Sequence, residues 1–186
     1  MTASVLFVCR ANLCRSPSAE VMLTRALAGA GQEARVASAG MEVVAGQVAP
    51  DDFVEIALIR GIDLRAHVPS AFTPELADSA DLILTMTRSL LRTMVLRAPA
   101  VWPRSFTLLE VVRRGAAIPP LEAGDTLSAW LARVHASRNR AELSSLDPVD
   151  DLRDPMVDAT ESNEEMFGEL ERATRRLARL LASVSG

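Results

Sequence analysis

Apolar positions fall in short uninterrupted runs separated by stretches of helical period. Residues 4–8 (SVLFV) are largely apolar and β-branched with no polar alternation, the pattern of a central parallel strand buried on both faces. Ser16-Pro17 reads as an N-cap followed by proline at the first helical position, with Glu20 in the first turn. Val21, Leu23, Ala26 and Leu27 continue that helix, and Gly29 and Gly31 end it. Residues 35–38 predict a short second strand and 40–49 a loop. Pro50 opens a further helix, with Phe53, Ile56, Ala57 and Arg60 at helical spacing and Gly61 as its stop. Residues 80–85 (ADLILT) predict a buried strand, 88–96 a helix and 104–108 a fourth strand. Alternating strands and helices predict an α/β fold with parallel strands and right-handed crossovers.

Residues 109–146 break the alternation. They carry helical pieces at 109–114 and 127–138 around Ile118-Pro119-Pro120, and are expected to form a mostly helical insertion within one domain spanning 1–186. Residues 147–154 form an acidic loop bearing Asp147-Pro148 and the start of Asp154-Pro155. A long helix is expected over 160–184, with Met166, Leu170, Leu177, Leu181 and Val184 on one stripe.

A chain of 186 residues is enough for one buried core. Its net charge of −4 disfavours nucleic acid as a partner. No apolar run approaches the roughly 20 residues that span a bilayer, and the N-terminal run is too short for a secretory leader, so a cytoplasmic protein without a membrane partner is expected. All 20 basic residues are arginine, which excludes Schiff-base or Walker lysine chemistry. The two cysteines make neither a disulfide framework nor a four-ligand zinc site. With only His67 and His135 as imidazoles, a metallohydrolase would need a nearly all-carboxylate site, and no metal or organic cofactor is expected.

The chemistry concentrates in one segment, Cys9-Arg10-Ala11-Asn12-Leu13-Cys14-Arg15. Cys9 ends the first strand and Arg15 opens the first helix, and ligands of open α/β sheets bind at the carboxyl ends of strands. A loop of this length can converge its N–H groups on an anion, the helix N-terminus adds partial positive charge, and Arg15 can hold two phosphate oxygens in a fork. The same electropositive cup favours the thiolate form of Cys9 as a nucleophile. The bare Cys-x5-Arg spacing is weak; the preceding strand and following Ser-Pro strengthen it. A phosphoester also needs a proton for its leaving oxygen, and Asp147, Asp150, Asp151, Asp154 and Asp158 are candidates among which local chemistry does not choose.

These residues resemble the low-molecular-weight protein-tyrosine phosphatase family. The likeness rests on Cys9, Asn12, Cys14, Arg15, Ser16 and Pro17, on Ser38-Ala39-Gly40, on the Gly61 to His67 segment, on the strand at 80–84 and on an Asp-Pro loop before the last helix. It implies a three-layer sandwich with a four-stranded parallel sheet of order 2-1-3-4. It implies a phosphomonoester hydrolase acting on phosphotyrosine-type aryl phosphates through a phosphocysteine, as a monomer or weak dimer, on phosphorylated proteins or small aryl phosphates. Cys9, Arg15 and Asp154 would be catalytic. Residues Arg10, Ala11, Asn12, Leu13, Cys14 and Arg15 would bind phosphate, and Asn12, Ser16, Ser38 and His67 would support the loop. Cys14 would be a redox partner for Cys9.

Several positions depart from the family pattern. Ala11 replaces a glycine, and Met156 replaces the tyrosine after Asp-Pro. Val157, Asp158 and Ala159 stand where small residues are common, and Met41, Val43 and Val44 stand where an aromatic is frequent. Two alternatives remain: an arsenate reductase on the same fold using an external thiol, and a non-catalytic phospho-ligand binding module.

Overall fold

The computed structural model describes residues 2–119, 126–145, 147–152, 154 and 163–184. Four strands, β1 (Ala3–Cys9), β2 (Ala34–Gly40), β3 (Leu82–Thr85) and β4 (Ser105–Thr107), form one parallel sheet in the order β2-β1-β3-β4. Among the described residues the α-helices are α1 (Arg15–Gly29), α2 (Asp51–Ile59), α3 (Pro74–Asp78), α4 (Arg88–Arg97), α5 (Leu108–Ala117), α6 (Leu127–Ala136) and α7 (Asn163–Val184). Successive side chains of β1 go to opposite faces. Val5, Phe7 and Cys9 enter a core shared with α1, α2, α5, α6 and α7, while Leu6 and Val8 enter a second core shared with α3 and α4. Helices therefore cover both faces of the sheet, which is the three-layer sandwich the family resemblance implies.

Local chemistry sets most helix starts. Thr73, Thr87, Thr107 and Thr126 each accept a hydrogen bond from an N–H of the helix they precede. α1 differs. It begins at Arg15, its N-cap residue Cys14 makes no side-chain cap, and its first turn holds no acidic residue. The expected cap, Ser16, lies inside the first turn with its hydroxyl turned to Cys9, because tertiary hydrogen bonds outweigh local capping there.

The fourth strand is shorter than expected. A 3-10 turn over Pro99–Arg104 leads into it, and the Thr107 hydroxyl, accepting from the Glu110 N–H at 3.1 Å, starts α5 at once. β3 likewise starts at Leu82, since the side chain of Asp81 is turned to the Ser4 N–H at 2.8 Å.

In the 109–146 region, α5 lays Leu108, Val111 and Val112 into the main core. Glu110, buried in α5, accepts from Arg114 at 3.0 Å and from Arg138 at 3.1 Å. The Arg138 guanidinium lies 3.4 Å from the Trp102 ring centre and 4.3 Å from that of Phe106, so this region is fastened to β4 by charge and stacking together. Met166, Leu170, Leu177 and Leu181 of α7 are buried on one stripe. The expectations on Pro120, Leu146, Pro155, Met156, Val157, Asp158, Ala159 and Thr160 lie outside the described residues.

Candidate active site

The loop from Cys9 to Arg15 joins the end of β1 to the start of α1. Cys9 is buried at its base, and its Sγ accepts from the Asn12 N–H at 3.2 Å and from the Ser16 hydroxyl at 3.0 Å. Cys14 is also buried and free; burial first, and then neighbouring Cys9, push its thiol up to about 12.

Asn12 organises the loop. It is fully buried with φ 56°, a left-handed conformation that asparagine tolerates better than most residues. Its Nδ2 donates to Ser16 Oγ and to Ser38 Oγ, each at 2.9 Å, and its Oδ1 accepts from the Ser70 N–H at 2.8 Å. His67 Nε2 lies 2.7 Å from the Asn12 carbonyl oxygen; a carbonyl only accepts, so Nε2 carries the hydrogen. The structure thus brings Asn12, Ser16, Ser38 and His67 into one network, and adds Ser70, which has no signature in sequence because it contributes only backbone.

Gly40 packs beneath the loop. A Cβ there would lie 2.8 Å from Ala11 C and 2.8 Å from Asn12 N, closer than carbon atoms pack, so the backbone of β2 can approach the loop only as glycine.

Arg15 is buried and points across the loop mouth. Its Nη1 donates to the Leu152 carbonyl at 3.2 Å and its Nη2 to Asp154 Oδ2 at 2.5 Å. Of the five candidate aspartates, Asp154 therefore reaches the loop. Asp150 is buried against Arg88 and Arg113, Asp151 caps the Arg88 N–H at 2.6 Å, and Asp147 accepts from the Val149 N–H. Asp158 lies outside the described residues.

A cavity of about 370 Å³ is lined by Cys9, Arg10, Ala11, Leu13, Cys14 and Arg15, with Glu42, Val44, Gln47 and Asp154 around it. Arg10 and Glu42 pair at its rim at 2.8 Å. Of the residues standing in for the family's aromatic, Val44 lines this cavity and Met41 is buried in the second core. A larger groove of about 610 Å³ runs between α5 and α7 past Leu109, Val112 and Arg176. It shares no residue with the Cys9 cavity and holds no cysteine or histidine, so chemistry rather than volume marks the site.

A thiol at the carboxyl end of a central strand, at a helix start without a cap, with a buried arginine and an aspartate facing it, is an arrangement that can hold an anion above a nucleophile. The family model described as low molecular weight phosphotyrosine protein phosphatase matches residues 4–114. The chain belongs to this family.

Relatives agree with that membership. A protein of Ralstonia solanacearum named "Probable low molecular weight protein-tyrosine-phosphatase EpsP" is 36% identical over 111 residues, 60% of this chain and 74% of the relative. A protein-arginine-phosphatase of Bacillus subtilis is 35% identical over 108 residues, 58% of this chain and 71% of the relative. The crystal structure of a YwlE mutant from Bacillus subtilis superposes with a TM-score of 0.70 at 27% identity, covering 97% of this chain and 99% of that one. Like other low-molecular-weight phosphatases it is a hydrolase of phosphoric monoesters, and the family match does not favour the arsenate-reductase alternative.

Proposed function

We propose that this phosphatase hydrolyses phosphotyrosine-type aryl phosphates in two steps on Cys9. One observation carries the reading: the Cys9 sulfur, held by the Asn12 N–H and the Ser16 hydroxyl, shares a cavity with Arg15 and Asp154. The Cys9 thiolate attacks phosphorus while the phosphorus–oxygen bond to the phenol breaks. The protonated Asp154 carboxyl gives its proton to the leaving oxygen. Water then attacks the phosphocysteine, Asp154 takes the water's proton, and the sulfur–phosphorus bond breaks to return thiolate and inorganic phosphate.

Arg15 and the loop amides of residues 10–15 stabilise charge on the equatorial oxygens. In this role the phosphate takes Arg15 donors that Asp154 now occupies, so substrate entry turns Asp154 toward the leaving oxygen. Asn12, Ser16, Ser38 and His67 keep the loop shaped for this, and Leu13 and Val44 offer an apolar wall to the ring.

A reduced compartment such as the cytoplasm suits two free buried thiols. Among the described residues no helix is long and apolar enough to cross a membrane. A monomer or weak dimer acting on phosphorylated protein, with a reversible Cys9–Cys14 disulfide under oxidation, completes the proposal. Burial keeps Cys14 a thiol, so that disulfide closes slowly.

The test is a pH–rate profile on para-nitrophenyl phosphate for the wild type, Cys9→Ser and Asp154→Ala. Sustained wild-type turnover with an acidic optimum is expected, with none in Cys9→Ser and one limb of the profile lost in Asp154→Ala. Turnover surviving in Cys9→Ser would sink the mechanism, and a stoichiometric burst without turnover in the wild type would favour the binding-module reading. Parallel assays on phosphotyrosyl and phosphoarginyl peptides decide between the activities named in the relatives; faster phosphoarginine hydrolysis would overturn the substrate assignment.

A further inference from the structure

Four residues before Asp154, the acidic loop is bolted down by a side chain that touches nothing in the Cys9 cavity. Asp150 has a side chain only 1% exposed. Its Oδ2 accepts from Arg88 Nη2 at 3.0 Å and from Arg113 Nη2 at 2.7 Å, and its Oδ1 from Arg113 Nε at 2.8 Å. Its carbonyl accepts from the Thr107 hydroxyl at 2.7 Å. The carboxylate thus joins the start of α4 to the middle of α5, and the backbone of the same residue ties both to the end of β4.

The next two residues extend the attachment toward the site. Asp151 Oδ1 accepts from the Arg88 N–H, the Leu152 N–H donates to the Met86 carbonyl at 2.8 Å, and the Leu152 carbonyl accepts from Arg15. Leu152 itself is fully buried. Asp154 lies two residues beyond this last anchor, so its Cα can range no farther than about 7 Å from that of Leu152. Wherever the root is fixed, the reach of the acid is fixed with it. Burying a carboxylate between two guanidiniums gives little net stability over an apolar contact, but its forked geometry defines position closely.

We propose that Asp150, clamped by Arg88 and Arg113, is a positioning residue for Asp154, setting where the acid meets the leaving oxygen. This rests on the reading of Asp154 as general acid given above. The clamp acts on proton delivery and not on phosphate binding, which the loop of residues 9–15 performs.

The experiment compares kcat/KM for phenyl phosphate, whose leaving phenolate needs a proton, with that for 2,4-dinitrophenyl phosphate, whose leaving group does not. Wild type, Asp150→Asn, Asp154→Ala and the double variant are measured in the full chain, with inorganic phosphate as a competitive inhibitor. Asp150→Asn is expected to slow phenyl phosphate about tenfold or more and dinitrophenyl phosphate by less than about threefold, with phosphate inhibition unchanged. In the Asp154→Ala background it should add no further leaving-group dependence.

An equal fall on both substrates, or weakened phosphate inhibition, overturns the proposal and makes Asp150 a plain structural residue. If Asp154→Ala itself shows no leaving-group dependence, the acid assignment fails and takes the proposal with it. If Asp154→Ala shows it and Asp150→Asn does not, the positioning proposal alone fails. Should Asp150→Asn not fold, Arg113→Gln removes the half-exposed arm of the clamp and must show the same selective loss in weaker form; equal effects on both substrates there overturn the proposal as well.

Discussion

The loop on Cys9 and the region around α5 and the acidic loop are built from different physics. The loop on Cys9 is shaped without any carboxylate: one asparagine amide, two serine hydroxyls, a histidine ring and a backbone N–H all meet at Asn12. The acidic loop before Asp154 and the segment around α5 are fastened by charge, through Arg88 and Arg113 on Asp150 and Arg114 and Arg138 on Glu110. A site that must receive a phosphate gains from this division. Carboxylates supporting the loop from beneath would compete for the field of the α1 N-terminus and Arg15, whereas dipoles hold the shape without cancelling it. In the other region, forked arginine–carboxylate pairs locate segments that are distant in sequence. Arg15 is where the two meet, buried among the loop residues and bonded to Leu152 and Asp154.

The comparison breaks most visibly at Asn12. Asn12→Ala strips partners from Ser16, Ser38 and the Ser70 N–H and leaves alanine in a left-handed conformation, at a cost of about 3–5 kcal/mol. Urea unfolding should show that loss, and inorganic phosphate should bind markedly more weakly to the folded fraction. Glu110→Gln is the matching change on the charged side. It leaves Arg138 and Arg114 without their shared carboxylate and should cost about 3 kcal/mol, yet leave kcat/KM and phosphate inhibition unaltered. If both variants weakened phosphate binding alike, the division of labour would be wrong. Gly40→Ala should fall below both, at about 1–3 kcal/mol, because the new methyl pushes on Ala11 and Asn12; its mark is weaker phosphate binding out of proportion to the stability lost.

This division also explains what could be read from the chain. The β1 strand, Cys9 and Arg15 are legible because a buried apolar run and a fixed short spacing are local signals; alternating strands and helices gave the parallel sheet, and its strand order came from family resemblance. Asn12, Ser38 and His67 came from family resemblance, since no spacing rule links residues 12, 38 and 67. Ser16 was misread as a cap because the competing partner, Cys9 sulfur, comes from the fold and not from the helix. Asp150 was one of several similar aspartates. What singles it out is burial against arginines 62 and 37 positions away, a relation that no local window contains. α5 looked like the start of an appended segment because its apolar face pairs with α7, far along the chain.

The smallest expected effect isolates a single group on the loop side. Cys14 sits under the loop with its thiol pushed up to about 12 by burial, above the ordinary value of 9.0. Between those values the folded protein holds a proton that the unfolded chain releases, so stability must fall as pH rises from about 9 toward 12. Arg138 acts in the opposite sense as pH approaches and passes about 10, because burial lowers its value to that point and the unfolded chain then holds the extra proton. Arg138 begins its opposing titration within pH 9 to 10, so the Cys14 contribution there is read as the difference from Cys14→Ala, with Arg138 and Cys9 common to both proteins and no tyrosine or lysine in the sequence. Across that window, urea midpoints should slope downward by up to about 1 kcal/mol per pH unit, and Cys14→Ala should flatten the slope. In the same window Cys14 should resist alkylation in the folded protein and react once it is unfolded in urea. A slope that persists unchanged in Cys14→Ala would mean that Cys14 is not the group whose proton the folded loop retains.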